Sequence, residues 1–256
     1  MLMKRYIPSF LLLLILLPLA SCQKDIPVES LTISPSSMTL FVGDSREISV
    51  QYFPVEATNL DELQIYSTNE KIVRYQDGKV TGVSGGDAAI SATCGNVLSQ
   101  CIVKVYKDKF LKNGTTYGID YATGYRYFCS EPTVQELEII LVHKEPNGDL
   151  QKFDVWVQVG QLGQELDFTK PIEGWSYVGA YLNNNESGYL IFASEEGEPF
   201  IRLADWGDPG SVTLTRGILK VEHLQFFDYR IHADFELSNG YRFSTDWEGS
   251  ATLKDS

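Results

Sequence analysis

The stretch YRIHADFELSNGYRFSTDW (residues 229–247) decides the fold class. Apolar side chains fall at alternate positions: Tyr229, Ile231, Ala233, Phe235 and Leu237, then Tyr241, Phe243, Thr245 and Trp247 after a polar break. A period of two means a strand with one buried face. A loop of Asn239-Gly240 alone would set Leu237 opposite Arg242 and cross an apolar face with a polar one. A Ser238-Asn239-Gly240 loop sets Leu237 on Tyr241, Phe235 on Phe243 and Ile231 on Trp247. A slip of one residue flips every side chain, so burial selects the longer loop. Trp247 is then expected in the core rather than at a ligand.

The same reasoning extends outward. In YGIDYATGYRYFC (117–129), Tyr117, Ile119 and Tyr121 share a face, as do Tyr125, Tyr127 and Cys129. An Ala122-Thr123-Gly124 loop would superpose those faces, with Gly124 in the left-handed position that ends a three-residue hairpin loop. In FDVWVQVG (153–160), Val155, Val157 and Val159 claim the core and leave Trp156 beside Asp154 and Gln158 on the polar side. TVQELEIILVHKE (133–145) is the best helix candidate, but Ile139 to Val142 run on without helical spacing and read as a strand. Aromatics make up 12% of the chain, and short Val, Ile, Thr and Tyr runs alternate with Gly, Asn, Asp and Pro clusters. The expected class is all-β.

Residues 28–106 carry a family likeness. LTISPSSMTLFVGDSREISVQYFP (31–54), DGKVTGVSGGDAAISATCG (77–95) and CIVKVY (101–106) resemble a bacterial immunoglobulin-like group 2 domain. Val42-Gly43-Asp44 reads as a turn in which Gly43 takes positive φ. Pro54 closes a strand, Asp77-Gly78 is a tight turn, and Ala88, Ile90 and Ala92 alternate inward. Ile65 stands where the family often has a core tryptophan. Such modules serve as spacers and adhesion units in bacterial surface proteins, and the resemblance implies a spacer here. Gly82-Val83-Ser84-Gly85-Gly86 also fits G-x-S-x-G, but a nucleophile elbow needs a helix next, and AAISATC reads as a strand.

The N-terminus fixes an expected location. Lys4 and Arg5 precede an apolar run from Phe10 to Ala20, broken at Pro18. That run of ~10 residues is short of the ~20 a spanning helix needs. It reads as a signal peptide over residues 1–21. Leu19-Ala20-Ser21-Cys22 resembles the lipobox of bacterial lipoproteins, which implies cleavage before Cys22 and acylation of its thiol and new amino terminus. More than one acyl chain gives durable attachment. Residues 22–27 form a tether, and Gln23-Lys24-Asp25 resembles the export signal of surface-exposed lipoproteins of the outer membrane.

Composition narrows the partners. The chain of 256 residues has a formal charge of −13, and loss of Lys4 and Arg5 with the leader takes it to about −15. Phosphates repel such a chain, so no nucleic acid partner is expected. Beyond the anchor, Cys94, Cys101 and Cys129 remain. Cys94 and Cys101 face one core on adjacent strands and are candidates for a disulfide, although Gly95-Asn96 places the turn off-centre between them. Cys129 is expected as a buried free thiol.

Residues 107–256 form the second unit, an expected larger antiparallel β-sandwich similar to uncharacterised domains of envelope lipoproteins. Its candidate ligand platforms are Trp156, Trp175, Tyr177 and Tyr181, with Trp206 at the tip of DWGDPG (205–210). Aromatic residues on loops at a sandwich end are a common binding edge. Asp205 and Asp208 are candidate oxygen ligands for calcium, in a spacing that matches no standard calcium loop. No other cofactor is expected. HExxH, Walker A, CxxC and dinucleotide motifs are absent, and His143, His223 and His232 are dispersed. The sequence therefore reads as a non-enzymatic, lipid-anchored surface protein for binding or adhesion, with a glycan or an envelope protein as partner. A spacer or assembly subunit of an envelope complex is the alternative reading, and a carbohydrate-active enzyme ranks last.

Overall fold

The computed structural model describes residues 25–128, 135–172, 179–181, 189–193, 199–203 and 210–255. Among these residues it holds strands and two single-turn 3-10 helices, Leu60–Glu62 and Val159–Gln161. The N-terminal strands are β1 (Ser30–Ser34), β2 (Ser37–Phe41), β3 (Ser45–Glu47), β4 (Ser49–Phe53), β5 (Gln64–Ser67), β6 (Val73–Gln76), β7 (Lys79–Gly82), β8 (Gly86–Cys94) and β9 (Val97–Tyr106). The C-terminal ones begin with β10 (Lys109–Lys112), β11 (Thr115–Gly118), β12 (Tyr121–Phe128), β13 (Gln135–Lys144), β14 (Leu150–Gln158) and β15 (Glu165–Asp167). They continue with β16 (Gly179–Tyr181), β17 (Tyr189–Ala193), β18 (Pro199–Leu203), β19 (Leu214–Gln225), β20 (Asp228–Leu237) and β21 (Arg242–Asp255).

In the first unit, β2-β9-β8-β5 faces β3-β7-β6 and the β1-β4 pair across one core. Ile33, Leu40, Val73, Val80, Ile90 and Val103 fill it, each supplied by strand alternation. Ile65 packs against this core half-buried. Gly43 adopts the expected left-handed turn, φ +91°. Ser84 is no nucleophile elbow: its hydroxyl donates to Lys71 O at 2.6 Å, and β8 follows it. Cys94 and Cys101 both face this core as free thiols. Cys94 lies opposite Val97 and Cys101 opposite Ile90, which puts the sulfurs four residues apart along the ladder. That is about 13 Å, twice the reach of a disulfide, so the candidate bond does not form.

The second unit is a twelve-stranded arrangement ordered β15-β19-β20-β21-β12-β13-β14-β16-β17-β18, with β10 attached to β21 and β11 to β10. β21 joins the two layers: it pairs with β20 as far as Ser250, then runs parallel to β12 from Ala251. Between the layers lie Phe110, Phe153, Phe235, Phe243, Ile139 and Leu219, all fully buried. The 229–247 hairpin forms in the expected register, with Phe235 on Phe243 and Ile231 on Trp247. Gly240 sits at φ +82°, Leu237 N–H bonds Tyr241 O at 2.9 Å, and Trp247 is 5% exposed.

Two expectations are corrected. Residues 117–128 are not a hairpin. Ala122-Thr123-Gly124 lies inside β12, which pairs with β13 from Tyr121↔Val142 to Phe128↔Gln135. A Cβ on Gly124 would stand 2.0 Å from Glu138 O, so this glycine serves close strand approach rather than a turn. Val159 is exposed rather than core, because β14 ends at Gln158 and a 3-10 turn begins.

The units meet at a short junction. Lys104 of β9 donates to Asp120 Oδ1 at 2.5 Å, and the Tyr106 hydroxyl lies 3.3 Å from both Asp120 oxygens. Lys144 N–H donates to Asp120 Oδ2 at 2.7 Å. Burial works against both charges, but the hydrogen bonds prevail: Lys104 is raised to about 12 and Asp120 is lowered. Tyr106 lies on Gly118, where a Cβ would come within 2.1 Å of the ring.

Candidate functional site

Of the predicted ligand platforms, the structure describes Trp156 with its side chain and Tyr181 as backbone. Trp175, Tyr177 and Trp206 lie outside the described residues, as do Asp205, Asp208, Cys22 and Cys129. Trp156 is half-buried, opposite Glu138 on β13 and Gly179 on β16. The face that carries it is less solvated than the alternation suggested. Glu138 and Asp154 are both buried there, and Glu138 accepts a 2.8 Å bond from the Tyr127 hydroxyl. Burial, reinforced by the nearby Glu138 charge, pushes Asp154 up to about 8, and its Oδ1 has no hydrogen-bond partner. Among the described residues, no three of His, Cys, Asp and Glu gather as a metal site requires.

A different site assembles where the sequence gave little warning. β19 and β20 are joined by Phe226-Phe227, with Gln225 paired to Asp228. Two-residue hairpin loops place glycine, asparagine or aspartate where φ is positive. Here Phe226 occupies that position at φ +47° and is 84% exposed, and Phe227 is 53% exposed. A phenylalanine in that conformation costs roughly 1–2 kcal/mol. The tip is nonetheless fixed. His223 Nε2 lies 3.0 Å from Phe226 O, and its ring stacks on Tyr229 at 5.0 Å.

Beside the tip, on the side of His223, is a pocket of about 370 Å³, lined by Arg126, Glu136, Leu137, Val159, Leu162, His223 and Tyr229. Arg126 lies near the end of β12, Glu136 and Leu137 lie near the start of β13, and Leu162 follows the turn after β14. The open end of one layer thus meets the β19–β20 turn of the other. The Arg126 guanidinium lies 5.9 Å from the centre of the Phe227 ring and against the Tyr229 hydroxyl. Burial raises both Tyr229 and Glu136, with Arg126 opposing the rise at Tyr229. The junction sits at the other end of the same strands. His143 and Glu136 are seven residues apart on β13, or about 23 Å.

Leu137, Leu162 and Tyr229 give the pocket an apolar part, and Arg126, Glu136 and His223 put polar groups along its lining, the usual makeup of a small-ligand site. Glu136 is the one carboxylate among the described lining residues, whereas glycoside hydrolysis normally takes a pair. The sequence signal for this site was the pair Phe226-Phe227, standing where a turn former belongs between two alternating runs.

Residues 27–105 match the bacterial Ig-like domain (group 2), one residue offset at each end from the span read in the sequence. No curated protein matches the chain. Among solved structures it is similar to domains 5–6 of the S-layer protein SbsC, at 8% identity over 90% of this chain and all of that one. The TM-score of 0.27 is too low for that likeness to bear on fold or role.

Proposed function

We propose that this chain is a non-catalytic binding protein of the bacterial cell surface, with a glycan as its ligand. The bacterial Ig-like match supports a place at the surface or envelope and a spacer role for the first unit. On this reading Cys22 is acylated and anchors the chain in the outer membrane, and the first unit raises the second from the lipid. The observation that carries binding is the pocket beside the Phe226-Phe227 tip, because a strained, exposed Phe226 and an exposed Phe227 next to the pocket residues His223 and Arg126 are a stability cost that packing does not explain. The apolar face of a pyranose suits an aromatic ring, and its hydroxyls suit Arg126, Glu136 and His223. Trp156, Trp175, Tyr177, Tyr181 and Trp206 remain candidates for a further platform, with calcium at Asp205 and Asp208.

The test is binding of the chain from residue 23 onward to a glycan array, with and without calcium. Saturable binding that Phe227→Ala abolishes, with the melting temperature retained, supports the pocket. Loss only in Trp175→Ala or Trp206→Ala moves the site to those loops, and calcium dependence adds a metal there. Silence across the array favours the second reading, a structural subunit of an envelope complex. The Lys104–Asp120–Tyr106 contact favours that reading independently, since it stiffens the boundary between the units.

A further inference from the structure

The charges of the pocket narrow the ligand class. Three of the described C-terminal arginines, Arg216, Arg230 and Arg242, each lie on a carboxylate, at 2.9, 2.7 and 3.2 Å. Arg126 does not. Its guanidinium lies by the Phe227 ring and the Tyr229 hydroxyl, and among the described residues no carboxylate oxygen lies within 4 Å of it. Asp255 is its neighbour in the parallel pairing of β12 with β21, yet the two side chains do not meet. Glu136 lines the same pocket, but strand alternation puts it on the opposite face of the sheet from Arg126. Leu137, not Glu136, lies across from Arg126.

A half-buried guanidinium placed between a ring and a hydroxyl is partly oriented already, so less side-chain freedom is lost when an anion binds. Its planar fork matches the two oxygens of a carboxylate. The exposed Phe227 ring, 5.9 Å from the guanidinium, offers a surface for carbon-bound hydrogens. In an acidic chain of net charge −13, such a site favours a ligand whose negative charge is single and local over a polyphosphate or polysulfate.

We infer that the pocket takes a saccharide bearing a carboxylate, a uronic or other sugar acid, with Arg126 as the residue that reads the acid. This rests on the glycan reading of the same pocket and adds the acid to it. The experiment compares an oligosaccharide containing glucuronic acid with its carboxyl-reduced counterpart, by calorimetry on the chain from residue 23 onward. The expected result is about tenfold or more tighter binding of the acid form. Arg126→Gln is expected to bring the two affinities together, and Arg126→Lys to keep part of the difference. Equal affinity of the wild-type chain for the two forms overturns the inference, and so does failure of both to bind. That comparison needs no variant, so a folding defect in Arg126→Gln leaves the test intact. If neutral glycans bind on the array while the acid form gains nothing, the acid is wrong and the glycan reading stands. If no glycan of either kind binds, both fall.

Discussion

Residues 117–128 and 229–247 carry the same sequence device and fold differently. Each has alternating apolar residues on both sides of three residues that end in glycine. Around Gly240 the chain turns back; around Gly124 it runs straight on. Alternation cannot separate the two. Tyr121 and Tyr125, like Leu237 and Tyr241, are four residues apart, and residues four apart share a face both in a continuous strand and across a three-residue loop. The turn composition differs. Ser-Asn-Gly is built for turning, and Asn239 Oδ1 accepts the Tyr241 N–H at 3.0 Å. Ala-Thr-Gly places a β-branched residue in the middle, which favours the strand. The two glycines consequently do opposite work. Gly240 has positive φ and open space around it, whereas Gly124 has a carbonyl where its side chain would be.

Substitutions at these positions break or sharpen the contrast. The largest effect is expected from Gly124→Val. The new side chain must displace Glu138 O or part β12 from β13, at about 3 kcal/mol or more in chemical denaturation. Wild-type stability in that variant would mean that β12 does not run through residue 124. Next comes Asp154→Asn, which tests the outward face of the layer that β12 joins. The outward face of the β20–β21 hairpin is solvated, with Arg230 on Glu248 and Arg242 on Asp234. The Asp154 face is buried, and its carboxyl is held near 8. Between pH about 4 and about 8 the unfolded chain has released that proton while the folded chain keeps it, so stability falls as pH rises and levels off above pH 8. Asp154→Asn removes that slope. It should stabilise the protein by about 1–3 kcal/mol at pH 8 and have little effect near pH 4, read as melting temperature against pH. An unchanged slope would place the titration elsewhere.

Gly240→Ala follows, at roughly 1–2 kcal/mol, because the cost is backbone conformation alone with no neighbour to displace. A penalty matching that of Gly124→Val would erase the distinction between a turn glycine and a contact glycine. The smallest effect is Asn239→Ala, about 0.5–1 kcal/mol for the lost bond to the Tyr241 amide, measured in the same denaturation series.

The tip of β19–β20 repeats the lesson in reverse. Strand alternation on either side of Phe226-Phe227 marks a turn there, yet neither residue is a turn former. A broken local rule was visible; its partner Arg126 was not, since it lies a hundred residues earlier in the chain. The aromatic stretches around Trp175 and Trp206 stand out in the sequence instead because they are rich in the side chains that bind sugars. Composition says which residues are suited to a ligand but not which of them converge.

The sequence by itself determined the all-β class, the bacterial Ig-like span and the register of the last hairpin. Each is a local matter of period-two burial and turn chemistry, written within twenty residues or within one module. The tertiary structure decided that β12 continues through Gly124, that β21 passes from one layer to the other, that Cys94 and Cys101 stay apart, and that Arg126 meets Phe227. Those outcomes depend on which distant strand lies alongside. A strand's alternation specifies the face it buries and leaves its neighbour open, so the neighbour is chosen by packing across the whole core.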